Sequence, residues 1–206
     1  MIPKQQAQQW LANNALILDT ETTGLDSKAE IIEISIIDCA GNVLLDTLVK
    51  PTAPIPEDAT RIHGITNEMV ANAPTWPEVY DLFVPLVEGR ELVIYNADYD
   101  LRMIRQADER NDLLNIRTQA DCAMLAYAEF YGQWDDYRGQ WKWQRLGNAA
   151  KQQGVVIDGK AHRALADCQM TLGVIASMAG QWCTTMQRLK SKCGCPDCGS
   201  SLVQIG

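Results

Sequence analysis

The sequence lacks any apolar run approaching the roughly 18 residues that a membrane-spanning helix requires, so no membrane span is expected. Its first residues, MIPKQQAQQWLANNA, lack the basic-then-apolar order of an export signal and the Arg-rich character of an organelle leader, which makes the cytoplasm the expected address. Cations are in deficit, 18 Lys and Arg against 26 Asp and Glu, for a formal net charge of −8. That balance argues against tight, sequence-independent coating of a nucleic-acid duplex, which depends on neutralising phosphates with Lys and Arg. Histidine is scarce, with His63 and His162 the only two, so any imidazole chemistry falls to one of them. Cysteine is present in an odd number, seven, and without an export signal this speaks for free thiols or metal ligands rather than a disulfide framework. Repeats and low-complexity tracts are absent.

What is present is a chain of 206 residues, 47% hydrophobic and 21% charged, enough for one sizeable domain with a real core. ALILDTE reads as a buried first strand, and IIEISIIDC and NVLLDTLVK, joined through Ala40 and Gly41, read as a hairpin completing a three-stranded antiparallel meander. The Pro- and Thr-rich segment from Pro51 suits a loop with short helices, PEVYDLFVPLVEG has helical spacing, and LVIYN returns as a strand. DYDLRMIRQADERN, ADCAMLAYAEFY, KWQRLGNAAKQQG and HRALADCQMTLGVIASMAGQW are further helix candidates. A meander followed by alternating strands and helices predicts an α/β layer fold with a mixed sheet. The expected organisation is a helical extension at residues 1–14, a catalytic domain at 15–182 and a Cys-rich tail at 183–206.

The chemistry concentrates in acidic residues. On a strand, the period of two puts Asp19 and Glu21 on one face and aims both at one point, as a shared hard cation requires. A lone pair of this kind is more often a solvated strand end. Asp100 follows an apolar strand at the start of a helical pattern, where a capping aspartate is the plain alternative and Asp98 competes for either part. His162 and Asp167 are five residues apart, about 500° of helical rotation, so on one regular helix they would point about 140° apart. A consistent arrangement has Asp167 on the helix and His162 at or before its first turn. Histidine titrates near neutrality and suits a general base, although a lone histidine is more often a surface or capping residue.

Taken together, DTETTG from Asp19, NADYD ending at Asp100 and HRALAD from His162 to Asp167 resemble the three motifs of the DEDDh (DnaQ-like) family of 3′-to-5′ exonucleases. The segment HGITNEMVANAP from His63 also resembles proofreading epsilon subunits of bacterial DNA polymerase, and HRALADC resembles exonuclease X, so the likeness covers about residues 15 to 180. The resemblance implies a ribonuclease H-like fold with a five-stranded mixed sheet. It implies that Asp19, Glu21, Asp100 and Asp167 bind two Mg²⁺ or Mn²⁺ ions, with His162 as general base. It further implies substrate contacts from Thr22, Thr23, Gly24, Leu25, His63 and Asn96, with Leu25 as a wedge against terminal bases. The sequence departs from the family at Tyr95, where the strand before the second motif usually ends in His. The acidic balance then loses force as an objection, because a nuclease that grips phosphate through metal must itself supply carboxylates.

The resemblance therefore implies a metal-dependent 3′-to-5′ exonuclease acting on DNA, in proofreading, repair or turnover, with a polymerase or repair complex as a partner class. An RNA-trimming exoribonuclease is the alternative within the same chemistry, and a catalytically silent nucleic-acid or polymerase-binding module is the alternative from another class. Outside the motifs, Tyr127, Phe130, Tyr131 and Trp134 follow helical spacing and are expected to pack a core face. The glycine-flanked WDDYRG stretch, with Arg138, Lys142 and Arg145 nearby, is the better place for contacts to single-stranded bases and phosphates. In the tail, Cys193, Cys195 and Cys198 have the spacing of a zinc knuckle but are one ligand short, so structural Zn²⁺ and free thiols stand as equal expectations.

Overall fold

A computed structural model describes residues 2–114, 119–156 and 162–181. The tail with Cys193, Cys195 and Cys198, and with it the zinc expectation, lies outside the described residues.

The apolar run from Ala15 forms β1 (Leu16–Thr22), the centre of a five-stranded sheet. It pairs antiparallel with β2 (Ile31–Ile37), which pairs antiparallel with β3 (Val43–Leu48), giving the expected meander. On its other side β1 pairs parallel with β4 (Leu92–Ile94), and β4 pairs parallel with β5 (Ala120–Cys122), for a strand order β3-β2-β1-β4-β5. The mixed five-stranded sheet is thus present. The fifth strand comes from residues read above as the first turn of a helix. β5 has only three residues, too few for a strand period to show against the helical pattern of ADCAMLAYAEFY.

Alternation along β1 sorts the core into two layers. Ile17 joins Ile37 and Val93 in a cluster with α1 (Pro3–Ala12), α6 (Ala123–Tyr131), α7 (Leu146–Gln152) and α8 (Ala164–Ala179). Leu16 and Leu18 join Ile34, Ile36 and Ile94 in a second cluster, with α4 (Trp76–Val87) and α5 (Ala97–Arg110). β2, covered on both faces, is buried at every position. Two short helices, α2 (Glu57–His63) and α3 (Asn67–Val70), form a satellite core around Ile32 and Ile65.

The first residues are not an appendage. Ala7 and Trp10 of α1 are fully buried in the layer containing α8, and the Trp10 indole donates to Asp121 Oδ2 at 2.6 Å. A buried tryptophan secured by a hydrogen bond makes this helix part of the domain core, contrary to the expected extension at 1–14.

Of the four aromatics expected on one core face, Tyr127 is fully buried, whereas Phe130, Tyr131 and Trp134 are exposed. The helix stops at Gly132, which takes a left-handed φ of 76°, so Trp134 is not on α6 at all. It lies instead in a two-stranded hairpin, β6 (Trp134–Asp135) and β7 (Gln140–Trp141). Among the described residues, no helix is long and apolar enough to cross a membrane.

Candidate active site

The two layers meet at the end of β1. By strand parity, Asp19 and Glu21 share the face of Ile17 and project toward α8, while Thr20 and Thr22 project toward α5. Asp167, in the first turn of α8, completes a group with Asp19 and Glu21 whose carboxylate oxygens all lie within 4.8 Å of one another. Asp100 approaches from the other layer, in the first turn of α5. It is 4% exposed, and its Oδ1 accepts from the Thr20 N–H at 3.1 Å and the Thr20 hydroxyl at 2.7 Å. Asp98 is exposed, so burial and hydrogen bonding separate the two aspartates that spacing alone could not rank.

This much negative charge in little water has a large electrostatic consequence. Asp19 is held well above the usual carboxylate range, first by burial and then by Asp100, Asp167 and Glu21. Burial, with Asp167 and Glu33, pushes Glu21 up to about 8. Burial raises Asp100 to about 7 against the opposing hydrogen bonds from Thr20. Asp167 is raised too, by burial, with His162 pulling the other way. Oxygen-only ligands, converging and without enough neighbouring cations to balance them, fit hard divalent ions such as Mg²⁺ or Mn²⁺. At an effective dielectric of about 20, each close like-charge pair costs roughly 3 kcal/mol until a cation is bound.

His162 lies just ahead of α8, as the five-residue spacing requires. It is exposed, has a left-handed φ of 62°, and its backbone N–H donates to Asp167 Oδ1 at 3.4 Å. A positive φ costs a non-glycine residue of order 1 kcal/mol and persists only where the surroundings impose it.

Those surroundings include two residues that sequence reasoning missed. Glu33, buried on β2 and paired in register with Glu21, accepts from Arg163 Nε at 3.0 Å on both carboxylate oxygens, and Arg163 Nη2 also donates to it. The same carboxylate accepts the Ala164 N–H at 2.9 Å, capping α8 from across the sheet. The Glu33–Arg163 pair therefore clamps the residue next to His162 and fixes the helix that carries Asp167. The visible signals were an acidic residue inside the apolar run IIEISII and the arginine directly after His162.

The expected substrate residues divide into three kinds. Leu25 is 78% exposed at the turn after β1, as a wedge would have to be. Asn96 is exposed at the N-cap of α5 and makes no capping hydrogen bond with its side chain, leaving its amide available to a ligand. The side chains of Thr22 and Thr23 shape the turn. The Thr22 hydroxyl donates to the Gly24 carbonyl and bonds the Tyr99 hydroxyl, and Thr23 Oγ1 accepts the Glu30 N–H. His63 is 2% exposed, and its Nδ1 accepts the Ile65 N–H at 3.0 Å, so its ring shapes the α2–α3 turn.

Comparison with known proteins agrees with this geometry. A family model described as Exonuclease (RNase_T) matches residues 16–175. The chain is 49% identical over 181 residues to a protein of Escherichia phage 186 named "Uncharacterized exonuclease CP81", covering 85% of this chain and 93% of that protein. It is 31% identical over 176 residues to DNA polymerase III subunit epsilon of Pasteurella multocida, covering 80% and 68%. Among solved structures, exonuclease X in complex with 5′ overhanging duplex DNA superposes with a TM-score of 0.58 at 28% identity, covering 82% of this chain and 98% of that one.

Proposed function

The chain belongs to the RNase_T exonuclease family, the DEDDh (DnaQ-like) enzymes with a ribonuclease H-like fold, and on that premise we propose that it removes nucleotides from the 3′ end of single-stranded DNA, releasing nucleoside 5′-monophosphates. The observation that carries this reading is the convergence of Asp19, Glu21 and Asp167 within 4.8 Å, with Asp100 buried behind Thr20 of the same strand. The similarity to epsilon subunits and to a DNA-bound exonuclease favours DNA over RNA and suggests a polymerase or repair assembly as partner.

In this reading Asp19, Glu21, Asp100 and Asp167 hold two Mg²⁺ or Mn²⁺ ions. When bound, such ions lower the pKa of an attacking water and stabilise charge on the leaving 3′ oxygen. His162, exposed at the mouth of the cluster, takes the water proton on a ring nitrogen. Glu33 and Arg163 keep the backbone on either side of that step in place. Leu25 presses against the terminal base, and the Asn96 amide meets the substrate at the head of α5.

The test is a time course on 5′-labelled single-stranded DNA and matched RNA with Mg²⁺, Mn²⁺ or chelator. A metal-dependent ladder of DNA fragments shortening from the 3′ end is expected. Faster trimming of the RNA would transfer the reading to an exoribonuclease. Cuts in a circular substrate, or no hydrolysis with either ion, would overturn the exonuclease reading altogether.

A further inference from the structure

The β6–β7 hairpin contributes almost nothing to the core and yet is rich in aromatic rings. Trp134, Tyr137, Trp141 and Trp143 are all exposed, Tyr137 to 97%. Large rings left in water are costly to a fold that has no use for them. Local structure holds them in place. Trp134 and Trp141 face each other across the ladder as a T-shaped pair with centroids 4.9 Å apart. Asp135 Oδ1 accepts the backbone N–H groups of Tyr137 and Arg138, and Gly139 takes a left-handed φ of 63°, so the tip is a closed turn rather than a loose loop.

The charge of the arm runs against that of the molecule. Arg138, Lys142 and Arg145 are exposed along it, in a chain whose net charge is −8. Of the two nearby carboxylates, Asp135 is engaged by the turn and by an ion pair with Arg138 at 3.9 Å. The arm is also tied to the catalytic end of the sheet. The Tyr95 hydroxyl donates to the Gln144 carbonyl at 3.0 Å, and Tyr95 immediately precedes Asn96 and the helix that carries Asp100.

Resting on the exonuclease reading, we propose that residues 134–145 form a binding arm for single-stranded nucleic acid, stacking its bases on Tyr137, Trp141 and Trp143 and its phosphates on Arg138, Lys142 and Arg145. Rings accept any base and cations accept any phosphate, so the arm grips a strand without reading its sequence. Because the arm is rooted at Tyr95 beside the carboxylates yet supplies none of them, it takes nucleotides upstream of the terminal one, which lies at the carboxylates. The interaction accordingly depends on strand length.

Fluorescence anisotropy of a labelled dinucleotide and a labelled dodecanucleotide, with Ca²⁺ in place of Mg²⁺, tests this on the full chain. The wild-type protein is expected to bind the dodecanucleotide far more tightly than the dinucleotide. Loss of stacking and charge in the Tyr137→Ala/Arg138→Ala variant is expected to weaken dodecanucleotide binding about tenfold, the scale of one base stack. Trp143→Ala, on the other side of the ladder, is expected to do the same, with an unchanged melting curve certifying the fold of each variant. An unaltered dodecanucleotide affinity in both variants overturns the proposal and leaves the surface to a protein partner. An equal loss on the dinucleotide overturns it as well, since the hairpin would then be shaping the site. Hydrolysis of thymidine 5′-monophosphate p-nitrophenyl ester by the wild-type protein reports separately on the exonuclease reading, so the two can fail independently.

Discussion

In the proposed function, the carboxylate cluster and the β6–β7 hairpin are opposite solutions to holding a polyanion. The cluster is half-buried, acidic and built from three separate elements, β1, α5 and α8. The hairpin is exposed, aromatic and cationic, and is built from a dozen consecutive residues. The first repels phosphate unless divalent cations intervene, and the second attracts it directly. The contrast teaches that chemistry and grip are separable here. Changes in the cluster should abolish turnover, while changes in the hairpin should only weaken binding.

The largest expected effect is in the cluster. Asp19→Ala should lower kcat by at least about a thousandfold in a 3′-end digestion assay, as removal of a central metal ligand does. A residual rate within tenfold of wild type would break the contrast. His162→Ala should cost about a hundredfold or more, the usual contribution of a general base, with KM nearly constant. A change in KM alone would make His162 a binding residue.

Glu33 and Arg163 test how rigidly the cluster is framed. Glu33→Ala removes the carboxylate that holds the part-exposed Arg163 guanidinium and accepts the Ala164 N–H, so chemical denaturation should show a loss of about 1 to 3 kcal/mol. Glu33→Gln keeps an acceptor and should recover part of both stability and kcat. A neutral Glu33→Ala would mean that α8 is fixed by packing alone.

The smallest effect is on the metal-free fold. Glu21 at about 8 and Asp100 at about 7 are raised above their unfolded values, so the folded protein holds more protons than the unfolded chain between about pH 4 and 8. The stability contributed by these groups is therefore fully present near pH 4 and is lost as pH rises toward 8. In chelator, the melting temperature at pH 6 should exceed that at pH 8, and Asp19→Asn should narrow the difference. Mg²⁺ should raise the melting temperature more at pH 8 than at pH 6, because the ligands are then already ionised.

The two regions also differed in how far sequence could reveal them. The meander, α5 and α8 were legible because their apolar periods are long and their motifs carry several residues each. The positions of Asp19 and Glu21 followed from strand parity, and that of His162 ahead of its helix followed from the five-residue spacing. Pairing across the sheet was not legible. Glu33 faces Glu21 only through register, and nothing local joins it to Arg163, 130 positions away. The hairpin was hidden for the opposite reason. Its strands have two residues each, below the length at which any period shows, and the helical spacing of Tyr127, Phe130, Tyr131 and Trp134 continued past the Gly132 stop. The burial of His63 was not legible either, because it depends on α2 and α3 folding over Ile32, which no short-range pattern encodes.

The most direct test of the metal assignment is calorimetric titration of the chelator-treated protein with Mn²⁺ at pH 7 in buffers of different ionisation enthalpy. Wild type is expected to bind Mn²⁺ and to release protons as it does so, because Glu21, pushed up to about 8, and Asp100, at about 7, still carry proton at neutrality until a cation displaces it. Asp19→Asn is expected to lose most of both signals. Binding without proton release, or equal binding by the Asp19→Asn protein, would contradict the assignment of the metal to this cluster.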